Sequence, residues 1–155
     1  MEPATALNRG IAITNTIAEH EVILATQHKL EAILASAASG REQHWLDLVI
    51  VELKQLNEQL RKHRDSAESS DGFFNEVSDV KAKEKIASVR AMHEKLITGC
   101  EELVDQLRKK TDAMASDIEM ARRRAAILMS EIRMHQAIEA DIIFEAFARD
   151  IGNLD

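Results

Sequence analysis

Apolar residues recur at alternating steps of three and four along most of this chain, the spacing that lines one face of an α-helix. The first such stretch runs from about Ile11 to Ala38. Its expected inner stripe is Ile13, Ile17, His20, Leu24, Gln27 and Leu34, with Leu30 and Ile33 beside it. Ser36 to Gly40 supplies small residues and a glycine where a helix should stop. A second stretch runs from about Arg41 to Ser66 on a stripe of Leu46, Val49, Leu53, Leu56, Leu60 and His63. Three serines, an aspartate and a glycine between Ser66 and Gly72 break that pattern, and Phe73 and Phe74 follow at once. The third stretch starts near Val80 and carries Ile86, Val89, His93, Leu96, Cys100, Leu103 and Leu107. Lys109 to Ala113 is the next expected turn, with Thr111 or Asp112 placed to cap the following helix. The fourth stretch runs from about Ala115 to Arg149 on Ile118, Ala121, Ala125, Leu128, Ile132, His135 and Glu139, and residues 150–155 form a tail.

Four one-sided helices with short connections predict an all-α fold, an up-down-up-down antiparallel four-helix bundle. The whole chain, residues 1–155, reads as one domain with its core at about 11–151. Composition agrees: one proline, five glycines and little aromatic content favour long helices. The formal charge of -7 makes nucleic acid and anionic membrane poor partners. Cys100 is the single cysteine, so no internal disulfide can form. The first residues lack the basic flank and apolar run of a secretory signal. No apolar stretch reaches the ~18 residues needed to span a bilayer. The expected location is therefore the cytoplasm.

The histidines change the picture. His20, His63, His93 and His135 lie one per helix on the apolar stripes, whereas His28 and His44 lie off them and are expected at the surface. His20 and His93 lie about 19 residues before a turn, and His63 and His135 about 23 after one; at ~1.5 Å per residue the antiparallel partners differ by roughly one helical turn. Helix tilt can absorb that, so the four imidazoles can share one layer. One histidine on an apolar face is most simply a satisfied core residue. Four at one level would be costly to bury, because each ring brings a donor and an acceptor. Glu139, one turn from His135, adds a carboxylate that should not be buried unpaired. A shared metal ion removes both costs. Imidazoles with carboxylates and no thiolate suit iron, manganese or zinc. No glutamate precedes a histidine by three residues, so the Glu-x-x-His pattern of ferritin-like sites is missing.

These residues resemble the hemerythrin-like family, the HHE cation-binding domains, over roughly Ile11 to Ile151. The resemblance is carried by an isolated His20, by LRKHRDSAE in the second helix, by AMHEKL in the third and by HQAIEADIIFEAF in the fourth. The histidine intervals of 43, 30 and 42 residues resemble those of the branch that includes the iron-sulfur cluster repair proteins. The resemblance implies a non-haem centre of two iron ions, bridged by carboxylates, capped by histidines and open to oxygen, nitric oxide or peroxide. By position it makes His20, His63, His93 and His135 terminal ligands and Glu139 a bridge. Three positions depart from the family pattern. Ile97 stands where the oxygen-carrying branch has a second third-helix histidine. Ala140 stands where that branch has an aspartate, and Ala67 where a second-helix glutamate is expected.

The Ala67 departure leaves a bridging carboxylate to be found. In a regular helix position 67 lies ~40° from His63 and Glu68 ~140° away. A π-bulge after His63 would bring Glu68 round instead, and the poor helix formers Asp65, Ser66, Ser69 and Ser70 favour one. The expected metal set is thus His20, His63, Glu68, His93, His135 and Glu139. Phe73 or Phe74 is expected either to fold over that end of the bundle or simply to fill the core. The functional expectation is a di-iron protein that binds or senses a small oxidant. Its alternatives are a di-iron enzyme or iron donor in stress or iron-sulfur cluster repair, and a metal-free helical interaction module.

Overall fold

The computed structural model describes residues 3–69, 72, 74 and 80–152. Four helices follow one another: α1 (Pro3–Ala35), α2 (Glu42–Glu68), α3 (Val80–Arg108) and α4 (Ala115–Gly152). Consecutive helices pack along one another in the up-down-up-down antiparallel bundle that the pattern predicts. Helix α1 starts well before Ile11. Pro3 suits a first turn, where its missing N–H costs nothing, and Ala4, Ala6, Leu7 and Arg9 are good helix formers. It ends at Ala35, earlier than expected, where the Ser36 backbone N–H and hydroxyl both donate to Ile33 O, at 3.0 and 2.6 Å. The chain then reverses through Gly40 at φ 81°, a left-handed conformation that glycine adopts without a Cβ clash. No helix is long and apolar enough to cross a membrane among the described residues.

The stripes of α2, α3 and α4 are buried as the spacing predicts, from Leu46 to His63, from Ile86 to Leu107 and from Ile118 to Glu139. Helix α1 differs. Its buried positions are Ala12, Thr16, Ile23, Thr26, Gln27 and Leu30, while Ile17 and Leu24 are 47% and 40% exposed. The inner face is rotated by about one residue from the expected one. Ile11, Ile13, Ile17, Val22, Ile23 and Leu24 surround this helix with apolar groups, so a period of 3.6 does not select one side. Two polar residues on the true face make hydrogen bonds there: the Thr16 hydroxyl donates to Ala12 O at 3.0 Å and Gln27 Nε2 to Met129 O at 3.3 Å.

Helix α2 also corrects an expectation. It is α-helical without interruption to Glu68, so the distortion expected after His63 is not there. The Asp65 carboxylate is taken up by its neighbour, and a serine-to-backbone bond forms only where the helix ends. Asp65 accepts from Arg64 Nε at 3.0 Å, and Ser66 O accepts the Ser69 hydroxyl at 2.9 Å. Ala67 is small enough to sit in the core one turn from His63, 1% exposed.

The apolar core is divided. One cluster joins Ile23, Leu60, Leu96 and Ile132 to the residues toward the first and third turns, including Trp45 and Leu107. The other joins Ala12, Ala67, Phe74, Ala82, Ile86, Val89, Ile142 and Ala146 at the opposite end. His63 falls between Leu60 and Ala67, His93 between Val89 and Leu96, and His135 and Glu139 between Ile132 and Ile142. A polar layer is thus held between two dry ones.

Candidate metal centre

Four helices deliver one imidazole each to this layer. Ring centroids are 5.1 Å apart for His20 and His63, 5.1 Å for His63 and His93, 4.5 Å for His93 and His135, and 6.0 Å for His63 and His135. All four turn Nε2 toward Glu139, which is 0% exposed. Its Oε2 lies 2.8 Å from His20 Nε2 and 2.8 Å from His63 Nε2. Its Oε1 lies 2.9 Å from both His63 Nε2 and His93 Nε2, and also contacts His135 Nε2, one turn back on the same helix. Ligand atoms of His63, His93, His135 and Glu139 all lie within 4.8 Å of one another, so this group could hold a metal ion. His20 completes the ring from α1 as its more open member, 16% exposed. His28 and His44 are at the surface.

The electrostatics keep Glu139 ionised at the centre. Burial by itself would raise the Glu139 pKa, but bonds from His135, His20, His63 and His93 hold it far below the usual carboxylate range. Burial would lower that of His63, yet its bonds to Glu139 and Glu19 outweigh this and bring it to about 9. Burial and the neighbouring His93 and His63 push His135 down, against its contact with Glu139. Without a metal, one carboxylate must then share its lone pairs among crowded imidazoles. Among the described residues His93 Nδ1 and His135 Nδ1 have no hydrogen-bond partner. A donor set of imidazole nitrogens and carboxylate oxygen, with the Nε2 atoms turned inward, is the set that a divalent or trivalent cation would satisfy.

Two further carboxylates stand outside the ring. Glu19 Oε1 is 3.4 Å from His63 Nδ1, and Glu68 Oε1 is 3.5 Å from His93 Nδ1. Glu68 therefore approaches His93 at the nitrogen that does not contact Glu139, and it lies outside the group of mutually close ligand atoms. Its long side chain reaches there from the last residue of a regular α2. Glu19 was not expected at the site. It adjoins His20 and falls on the series 12, 16, 19, 23 that the structure turns inward, a face that the apolar pattern does not select.

Phe74 closes this end. Its ring stacks on His93 at 5.6 Å and 12°, and the Arg90 guanidinium lies 5.5 Å above it. Phe73 lies outside the described residues. Gly72 fixes the approach, because a Cβ there would sit 2.2 Å from Ser66 O and 2.5 Å from Ala67 O. Cys100 is buried away from the ring and donates its S–H to Leu53 O at 3.2 Å. Comparison with known families, with curated proteins and with solved structures finds no match.

Proposed function

We propose that this chain is a non-haem iron protein of the hemerythrin-like kind, which binds or senses a small oxidant at two iron ions in the bundle core. The observation that carries this reading is the division of imidazoles over Glu139. Oε2 is approached by His20 and His63, and Oε1 by His63, His93 and His135. With His20 at one oxygen, His93 and His135 at the other and His63 reaching both, Glu139 offers both its oxygens to the ring and could be shared between two cations. His20, His63, His93, His135 and Glu139 would hold the metal. Bound iron supplies a redox change and a coordination position for oxygen, nitric oxide or peroxide. The surrounding residues act by exclusion: apolar clusters close the layer from both ends and Phe74 covers His93, so the site suits a small ligand. Manganese or zinc would fit the same donors.

Metal analysis of protein purified without an affinity tag, with optical spectra in air and under anaerobic conditions, tests the reading. The expected result is about two irons per chain and a spectrum that changes on adding oxygen, nitric oxide or azide. Protein that takes up no metal from excess ferrous iron would overturn it in favour of a metal-free interaction bundle. Sustained consumption of peroxide or nitric oxide with a reductant would make it a catalyst instead of a sensor.

A further inference from the structure

His63 and His93 each have a carboxylate on both sides of the ring. Glu139 faces Nε2, at 2.9 Å in both cases. Glu19 faces Nδ1 of His63 at 3.4 Å, and Glu68 faces Nδ1 of His93 at 3.5 Å. The neutral imidazole, the form that can ligate a metal, carries one N–H, so it can satisfy only one of its two carboxylates. With the proton on Nε2, a Nδ1 lone pair is turned on the oxygen of Glu19 or Glu68. With the proton on Nδ1, the outer carboxylate accepts it and the Nε2 lone pair is turned to the centre. That second arrangement is stable when a cation lies among the Nε2 atoms, and it is the one that ligation requires.

We infer that Glu19 and Glu68 are positioning residues that accept the Nδ1–H of His63 and His93 and so hold the Nε2 lone pairs toward the metal. This rests on the metal reading above. The two carboxylates come from different helices, α1 and α2, and serve rings on α2 and α3, so each ligand ring is held by a neighbouring helix. Both distances are long for hydrogen bonds and should close when the rings ligate, because a metal on Nε2 makes Nδ1–H a stronger donor. Glu19 and Glu68 are 16% and 26% exposed. They therefore avoid the full desolvation cost of Glu139 and can be replaced without emptying the core. They also add anionic character behind the ligands, which favours the more oxidised metal.

Glu19→Leu and Glu68→Leu keep roughly the size but remove both the acceptor and the charge. Each is expected to lower iron affinity roughly 10- to 100-fold, measured by competition with a chelator, and to raise the reduction potential. The melting temperature of the metal-free variants should match that of metal-free wild type, which separates positioning from a general packing role. Wild-type affinity and potential in both variants would overturn this inference and leave the metal reading standing. A matching loss of metal-free stability would assign the residues to packing and also overturn it. If wild type itself binds no iron, both readings fall together. Because the two residues serve different rings, a variant that fails to fold leaves the other as a complete test.

Discussion

A carboxylate buried among apolar helices is destabilising by several kcal/mol unless N–H groups and positive charge answer it. At Glu139 the answer comes from four imidazoles on four helices, which is why its position one turn from His135 could be picked out from spacing alone. The histidines were legible for the same reason: each breaks an apolar stripe at a height that helical rise predicts. Glu19 was not legible, because a glutamate next to a stripe reads as a solvated residue and the face of α1 was itself ambiguous. Cys100 shows the opposite case, a reactive side chain made inert by its place. Burial pushes its thiol up to about 12, and the S–H is bound to Leu53 O. In the folded protein at pH 8 it should react with a thiol reagent ~1000-fold more slowly than an ordinary cysteine, and at the ordinary rate once unfolded in guanidinium. Fast labelling of the folded chain would mean that α2 and α3 separate readily around Leu53.

At the scale of elements, the ends of the helices hold what apolar spacing cannot reveal. The start of α4 was expected to be capped from Thr111 or Asp112. Instead Asp117, inside the first turn, accepts the Met114 N–H at 2.9 Å and pairs with Lys110 at 3.2 Å. The Met114 bond, with help from Lys110, lowers its pKa from 3.8. A group whose folded pKa is depressed stabilises above its unfolded value and ceases to do so as pH falls through the folded one. Asp117→Ala should therefore melt below wild type at pH 7, and the gap should close as the pH is taken down through and below 3.8. A gap that persists at acid pH would mean that packing, not the charge, matters there. At the end of α2 the decisive residue is Gly72. The atoms that a Cβ would meet are backbone oxygens of Ser66 and Ala67, which cannot swing aside. Gly72→Ala must move the turn, at a cost of about 1 to 3 kcal/mol. Phe74, two residues on, moves with it and loses its stack on His93. Phe74→Leu tests the stack alone. If Phe74 shields the metal layer, both variants should bind azide faster at unchanged iron content. If stability falls and azide kinetics do not change, Phe74 is core filling.

At the scale of the whole molecule, the bundle sets a polar layer between two apolar clusters, and that layer ties all four helices together. The architecture was legible because breakers are few and three of the four stripes are unambiguous. The layer was legible because 1.5 Å of rise per residue converts sequence distance from a turn into height. The tie has a thermodynamic consequence. Unfolding scatters His20, His63, His93, His135 and Glu139 over a separation of 119 residues between the first and last, so a cation held by them binds the folded state only. Such a cation stabilises by mass action, about 3 to 4 kcal/mol at a few hundred times its dissociation constant. For a chain of this size that corresponds to roughly 10 °C in melting temperature. Removing the metal with a chelator should lower the melting temperature of wild type by about that amount, and restoring ferrous iron should recover it. His93→Ala should lose most of this metal-dependent difference, because it removes the ring that joins α3 to Glu139. The metal-free melting of that variant is the reference that separates lost ligation from a cavity left by the ring. If wild type melts at one temperature with and without metal, the layer is held by imidazole and carboxylate hydrogen bonds alone, and the bundle does not depend on a cation for its stability.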